Sequence, residues 1–154
     1  MLAGFAVALV LLLSTPALAD FQAGCDAFDR GDYAAAREQW APLAEQGDPK
    51  AQFRLGCLYA FGQGVAPDYA FALRLYRLAA EQGDPDAQNN LGGMYAQGMG
   101  VPPDPVQAYM WFELAAARGH EMALKNRAFI ARSMSEEQIA RARSLARQWR
   151  AEHR

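Results

Sequence analysis

The sequence predicts an all-α fold of stacked helical hairpins closed by a C-terminal capping helix. Three observations predict it. Asp48–Gly83 and Asp84–Gly119 repeat one another at a spacing of 36 residues, with about half of their positions identical. Gly47, Gly83 and Gly119 fall in register, as do Asp32, Asp68 and Asp104, and a period of this length marks stacked supersecondary units. Within each unit, apolar residues recur at helical spacing on both sides of a Gly- and Pro-rich break.

The chain has 154 residues, 52% of them hydrophobic, and a formal charge of -2. That is enough apolar material for one sizeable core and a single domain. A nearly neutral, slightly acidic balance gives no basis for a nucleic-acid partner.

Residues 1–19 read as a secretory signal peptide. Leu2 to Leu13 is an uninterrupted apolar run, Pro16 breaks it, and Ala17-Leu18-Ala19 supplies the small-x-small pattern cut before Asp20. The run is short for a membrane span. No Lys or Arg precedes it, which departs from the usual leader, and no Cys stands at the cleavage site to take a lipid. The expectation is a periplasmic or secreted protein, cleaved after Ala19, with no stable membrane insertion after cleavage.

The repeat domain then covers residues 20–154. Residues 20–47 form a partial first unit, in which Gly24-Cys25 falls opposite Gly56-Cys57, Asp32-Tyr33-Ala34 opposite Asp68-Tyr69-Ala70, and Trp40 takes the place of Tyr76. Pro42 is expected to interrupt its second helix with a kink. Residues 48–83 and 84–119 are full units. Asp48-Pro49 and Asp84-Pro85 supply an N-cap oxygen followed by proline at the first helical position, and the glycines at 47, 83 and 119 end the preceding helices. Ala51, Leu55, Leu58 and Tyr59 form one apolar stripe, matched by Ala87, Leu91, Met94 and Tyr95. Ala72, Leu75, Tyr76, Ala79 and Ala80 form a second, matched by Ala108, Trp111, Phe112, Ala115 and Ala116. Small residues at set positions let helices approach while aromatics fill the gaps.

Residues 120–154 decay from the pattern. Ala123 is kept, Arg127 replaces the leucine, and the Gly-x-Gly loop is missing. His120 stands where the other units have Asp and reads as a helix-start residue. Ser135 with Gln138 makes a capping box for a last helix, whose Ile139, Ala142, Ala146 and Trp149 face the stack. Such an atypical end with a polar outer face is what a solenoid requires.

The core A-x-x-L-G-x-x-Y-x-x-G-x-G-V, intact from Ala51 and again from Ala87, resembles the Sel1-like repeat family, relatives of the tetratricopeptide repeats. The resemblance covers nearly all of the chain after the leader. It implies a right-handed α-solenoid whose first helices line a concave face, and a role in binding proteins.

Positions that differ between copies are free to carry function. In the first helix these are Lys50/Asp86, Phe53/Asn89, Arg54/Asn90, Cys57/Gly93 and Phe61/Gln97, besides the conservative Leu58/Met94. At 100° per residue the five pairs share an arc of roughly 100°. With the resemblance, that arc becomes the floor of a groove for a peptide or protein partner, its asparagine amides pairing with backbone groups. Unconstrained surface drift is the other reading.

Cys25 and Cys57 are the only cysteines. An exported protein meets an oxidising compartment, so a Cys25–Cys57 disulfide is a candidate. Neighbouring helices lie about 8–10 Å apart whereas a bridge needs Cα atoms within about 7 Å, so it requires close packing at Gly24 and Gly56. The alternative is two half-buried thiols. On the last helix Arg143, Arg147, Arg150 and Arg154 share a stripe and Glu136 and Glu137 open the helix, an order the helix dipole favours.

No enzyme is predicted. Outside the leader the chain has no Thr, and its serines, Ser133, Ser135 and Ser144, lie in no nucleophile motif. His120 and His153 have no companion at metal spacing, and no cofactor or metal is indicated. The Gly98–Gly100 element lacks the strand and third glycine of a dinucleotide fingerprint. The reading is therefore an exported, monomeric interaction scaffold. The alternative is an envelope enzyme or accessory factor acting on cell-wall material.

Overall fold

The computed structural model describes residues 19–153. The leader reading concerns Met1–Leu18 almost entirely, and so lies outside the described residues, as does Arg154. Eight helices follow: α1 (Phe21–Asp29), α2 (Tyr33–Glu45), α3 (Pro49–Phe61), α4 (Tyr69–Glu81), α5 (Pro85–Gln97), α6 (Pro105–Ala117), α7 (Glu121–Ala131) and α8 (Glu136–Glu152). There is no strand among the described residues. Each helix packs on the next from α1 to α7, which makes a linear stack of hairpins.

The helix starts follow from the repeated aspartates. Asp48 Oδ1 accepts from the Ala51 amide at 2.7 Å and Asp84 Oδ1 from the Ala87 amide at 2.8 Å. Asp32, Asp68 and Asp104 cap α2, α4 and α6 in the same way. Satisfying an orphan donor at each start is what fixes where the chain re-enters a helix. His120 does this for α7, its Nδ1 accepting from the Ala123 amide at 3.1 Å. The expected capping box on α8 is present in both directions. Pro42 does not interrupt α2, which is continuous to Glu45. The residue lies in the last turn, where the missing N–H removes one intrahelical bond and no following helix depends on it.

The core runs along the junctions between helices. Leu58, Leu91, Ala51, Ala72, Ala79, Ala87 and Ala108 are wholly buried, and so is Trp40. Within each hairpin a glycine of the first helix meets an aromatic ring of the second. A Cβ added at Gly56 would stand 2.8 Å from Tyr76, one at Gly92 would stand 2.7 Å from Phe112, and one at Gly24 would collide with Trp40. These distances are below any real Cβ contact, so the two helices meet with backbone against ring.

Polar ties repeat with the same period. Buried Gln52 and Gln88 donate to the carbonyls of Ala44 and Ala80, at 3.2 and 3.1 Å. Gln82 Nε2 donates to the Gly47 carbonyl at 3.0 Å, and Arg118 Nη1, 36 positions later, donates to the Gly83 carbonyl at 2.7 Å. Gly83 has φ +87°, a conformation a side-chain-bearing residue resists, and this bend delivers its carbonyl to Arg118.

The last unit departs from the rule. Helix α8 packs along α6 instead of along α7, with Ala142 and Ile139 against Tyr109 and Ala108, and Ala146, Leu145 and Trp149 against Met110, Trp111 and Leu114. The predicted stripe of α8 does face the stack. Arg127, in the place of a core leucine, forms a half-buried ion pair with Glu113 of α6.

Replacing Leu91, which is wholly buried, by Ala should cost about 2–5 kcal/mol in urea unfolding. Leu78→Ala, at a residue 49% exposed, should stay within about 0.5 kcal/mol of the parent. Equal costs at the two positions would contradict this core assignment.

Candidate functional site

The first helices α3, α5 and α7 present one face, and five of the ten changed positions of the repeat line a groove on it. The structure brings together Phe61, Asn89, Asn90, Gly93 and Gln97. With Tyr76, Met99 and Asn126 they line a depression of about 290 Å³. Gly93, Gln97 and Asn126 also line a neighbouring depression of about 380 Å³, walled by Phe129, Ile130 and Phe112. The two share a floor at Gly93 and form one groove across the face.

Lys50, Phe53, Arg54, Cys57 and Asp86 do not line it. Lys50 and Arg54 are exposed on α3 and line neither depression. Phe53 and Cys57 turn inward and pack on the core, Phe53 with its ring 5.8 Å from that of Tyr76. Asp86 is held by the helix-start residue of the next unit, its Oδ1 lying 3.2 Å from His120 Nε2. Cys25 and Cys57 are free thiols. Cys57 Sγ faces Tyr76, whose hydroxyl donates to it at 3.3 Å, so the thiol points into its own hairpin.

The groove floor is a row of amides. Asn126 Nδ2 donates to Asn89 Oδ1 at 3.0 Å, and Asn89 Nδ2 reaches Asn90 Oδ1 at 3.4 Å. Each amide offers both a donor and an acceptor, and this contact orients the row across the gap between α5 and α7. At either side stands an exposed phenyl ring, Phe61 at 68% and Phe129 at 73% exposure. A Cβ added to Gly93 would meet no atom within 4 Å. A mid-helix glycine costs about 1 kcal/mol relative to alanine, and here no neighbour requires it. What its missing side chain does is hold the floor open.

Asn126 and Phe129 were not among the positions read from the sequence. The signal was present: Asn126 stands 36 residues after Asn90 and Phe129 stands 36 after Gly93, in a unit whose other landmarks have decayed. Among the described residues, no three of His, Cys, Asp and Glu converge on a point that could hold a metal, and no described helix is long and apolar enough to cross a membrane.

Comparison with known proteins agrees with the hairpin stack. The Sel1 repeat profile matches residues 49–84 and 85–120. A protective antigen present in uropathogenic Escherichia coli strains, displaying an SLR fold, is 33% identical with a TM-score of 0.78 over 82% of this chain. A Sel1 repeat protein from Oxalobacter formigenes is 32% identical with a TM-score of 0.69 over 72% of this chain. The match spans 28% of the first relative's length and 46% of the second's. No curated protein matches the chain.

Burial pushes the Cys57 thiol above its ordinary 9.0, partly offset by the Tyr76 hydrogen bond. Burial, and next the neighbouring Cys57, push the Tyr76 hydroxyl above its ordinary 10.0. Both groups are neutral when folded and free to ionise when unfolded, so their contribution is complete below pH 9 and is lost as pH rises beyond it. Urea unfolding should therefore show stability falling between pH 9 and 11. The double variant Cys57→Ala/Tyr76→Phe should flatten that slope; an unchanged slope would contradict the assignment.

Proposed function

The chain carries two tandem Sel1 repeats, a unit that generally mediates protein binding, and from that premise we propose that it is an exported scaffold holding an extended segment of a partner protein across α3, α5 and α7. The observation that carries this reading is Gly93. Its neighbours do not need it, and a large side chain there would project into the space between the depression of Phe61 and Asn90 and that of Phe129, both of which Gly93 and Asn126 line. An extended peptide presents alternating donors and acceptors that an amide row can match, while its side chains can reach the flanking phenyl rings. The groove spans only two to three units, a size suited to a short segment. The scaffold role needs no chemistry from the chain, and the groove contains no acid–base or nucleophile pair. Export rests on the apolar leader with its small-x-small end at Ala19.

Peptide-display selection on the purified protein should yield extended sequences whose binding falls at least tenfold in Gly93→Leu and in Asn90→Ala/Asn126→Ala, with circular dichroism unchanged. Binding indifferent to both variants would overturn the groove assignment. N-terminal sequencing of protein recovered after expression with its leader should begin at Asp20; recovery of an uncleaved cytoplasmic chain would overturn export.

A further inference from the structure

A second groove lies between α2, α3 and α4 and takes no part in the face just described. It has a volume of about 750 Å³, with Leu55 and Tyr59 at its floor and Ala41, Phe71, Leu75 and Leu78 along its walls. Leu78 is 49% exposed there, so the groove presents apolar surface to water.

The repeat supplies its counterpart 36 residues on, and there the chain has closed it. Leu75 is replaced by Trp111, Ala41 by Arg77 and Phe71 by Gln107, while Leu78 keeps its type as Leu114. Trp111 and Leu114 are 6% and 2% exposed, and they share a core with Leu91, Tyr95 and the α8 residues Leu145, Ala146 and Trp149. Trp149 meets Trp111 edge to face, with ring centroids 6.2 Å apart. Arg77 Nη2 donates to the Tyr95 hydroxyl at 2.6 Å across the same region. Two things thus distinguish the copies: the second carries Trp111 and Arg77 where the first has Leu75 and Ala41, and an amphipathic helix of the same chain packs on its α6 wall. The first has neither.

We propose that the α2–α3–α4 groove receives an amphipathic helix of a partner protein, carrying a large apolar residue three positions after a small one. This helix is seated as Ala146 and Trp149 of α8 are seated one unit along. The occupant is not α8 of a second copy, because that stripe is already buried against its own α6. The lip carries Glu38 and Glu45 with Arg37, one net negative charge. Basic residues flanking the stripe, as Arg143, Arg147 and Arg150 flank that of α8, match it. Helix-in-groove recognition of this kind reads anchors at i, i+3 or i+4 and i+7.

The probe is a labelled synthetic peptide of residues 135–152, added to the purified protein and followed by fluorescence anisotropy. Saturable binding is expected. It should weaken at least tenfold when the peptide carries Trp149→Ala, and at least tenfold when the protein carries Leu75→Trp, which fills the groove as Trp111 fills its counterpart. Leu78→Glu, at an exposed position, gives a second reading should the larger side chain unsettle the fold, and it should weaken binding likewise. Gly93→Leu should leave binding unchanged. The proposal is overturned by absence of saturable binding, or by binding insensitive to both Leu75→Trp and Leu78→Glu, which would mark exchange with α8 on α6. A groove that saturates with a dodecyl-chain detergent but ignores the peptide would overturn it as well.

Discussion

The stack depends on one contact made three times: a glycine backbone in the first helix of a hairpin lying against an aromatic ring in the second. Gly24 meets Trp40, Gly56 meets Tyr76 and Gly92 meets Phe112. The ring is the eighth residue of α2, α4 and α6 alike, and Gly56 and Gly92 are the eighth residues of α3 and α5. A methyl group at the glycine leaves no room for the ring at this helix separation, and close-packed interiors transmit such a mismatch to their neighbours. In the last unit the same positions are Ala128 and Arg143. The contact cannot form, and there the hairpin rule fails: α8 leaves α7 and lies along α6.

Packing and capping absorb the repeated residues, and the proposed function therefore rests on residues that do not repeat. The aspartates are used as caps, the buried glutamines as ties between units, and Arg118 and Gln82 as clasps on the preceding glycine carbonyl. The amide row of Asn89, Asn90 and Asn126 has no such task; it joins α5 to α7 at the surface and faces a groove. The same division explains why the chain can present two different surfaces. The first-helix face varies at its exposed arc, and the groove beside α2 and α4 varies through the size of the residue at positions 75 and 111.

Adjacent glycines show how much of this was legible. Gly92 is shared with Gly56 in the other copy whereas Gly93 faces Cys57, so comparing the copies already separates a packing glycine from a free one. Helix starts, hairpin pairing and the buried stripes were readable because capping and periodicity are local. The groove was readable only in part. An arc on one helix does not say which side chains are drawn inward by a neighbouring ring, and Tyr76 draws in Phe53 and Cys57. Asn126 and Phe129 escaped because decay of the surrounding landmarks hid their register. The seat of α8 was legible as a stripe facing the stack but not as a choice of α6 over α7, since that choice depends on the absence of the glycine–ring contact between α7 and α8 themselves.

The most direct measurement compares Gly92→Ala with Gly93→Ala by chemical denaturation. The two positions are neighbours in one helix and share the same intrinsic gain on replacing glycine, about 1 kcal/mol. The account predicts opposite signs: Gly93→Ala more stable by up to that amount, and Gly92→Ala less stable by about 1–3 kcal/mol through overpacking against Phe112. Stabilisation of both variants to the same extent would contradict the claim that backbone against ring sets the hairpin.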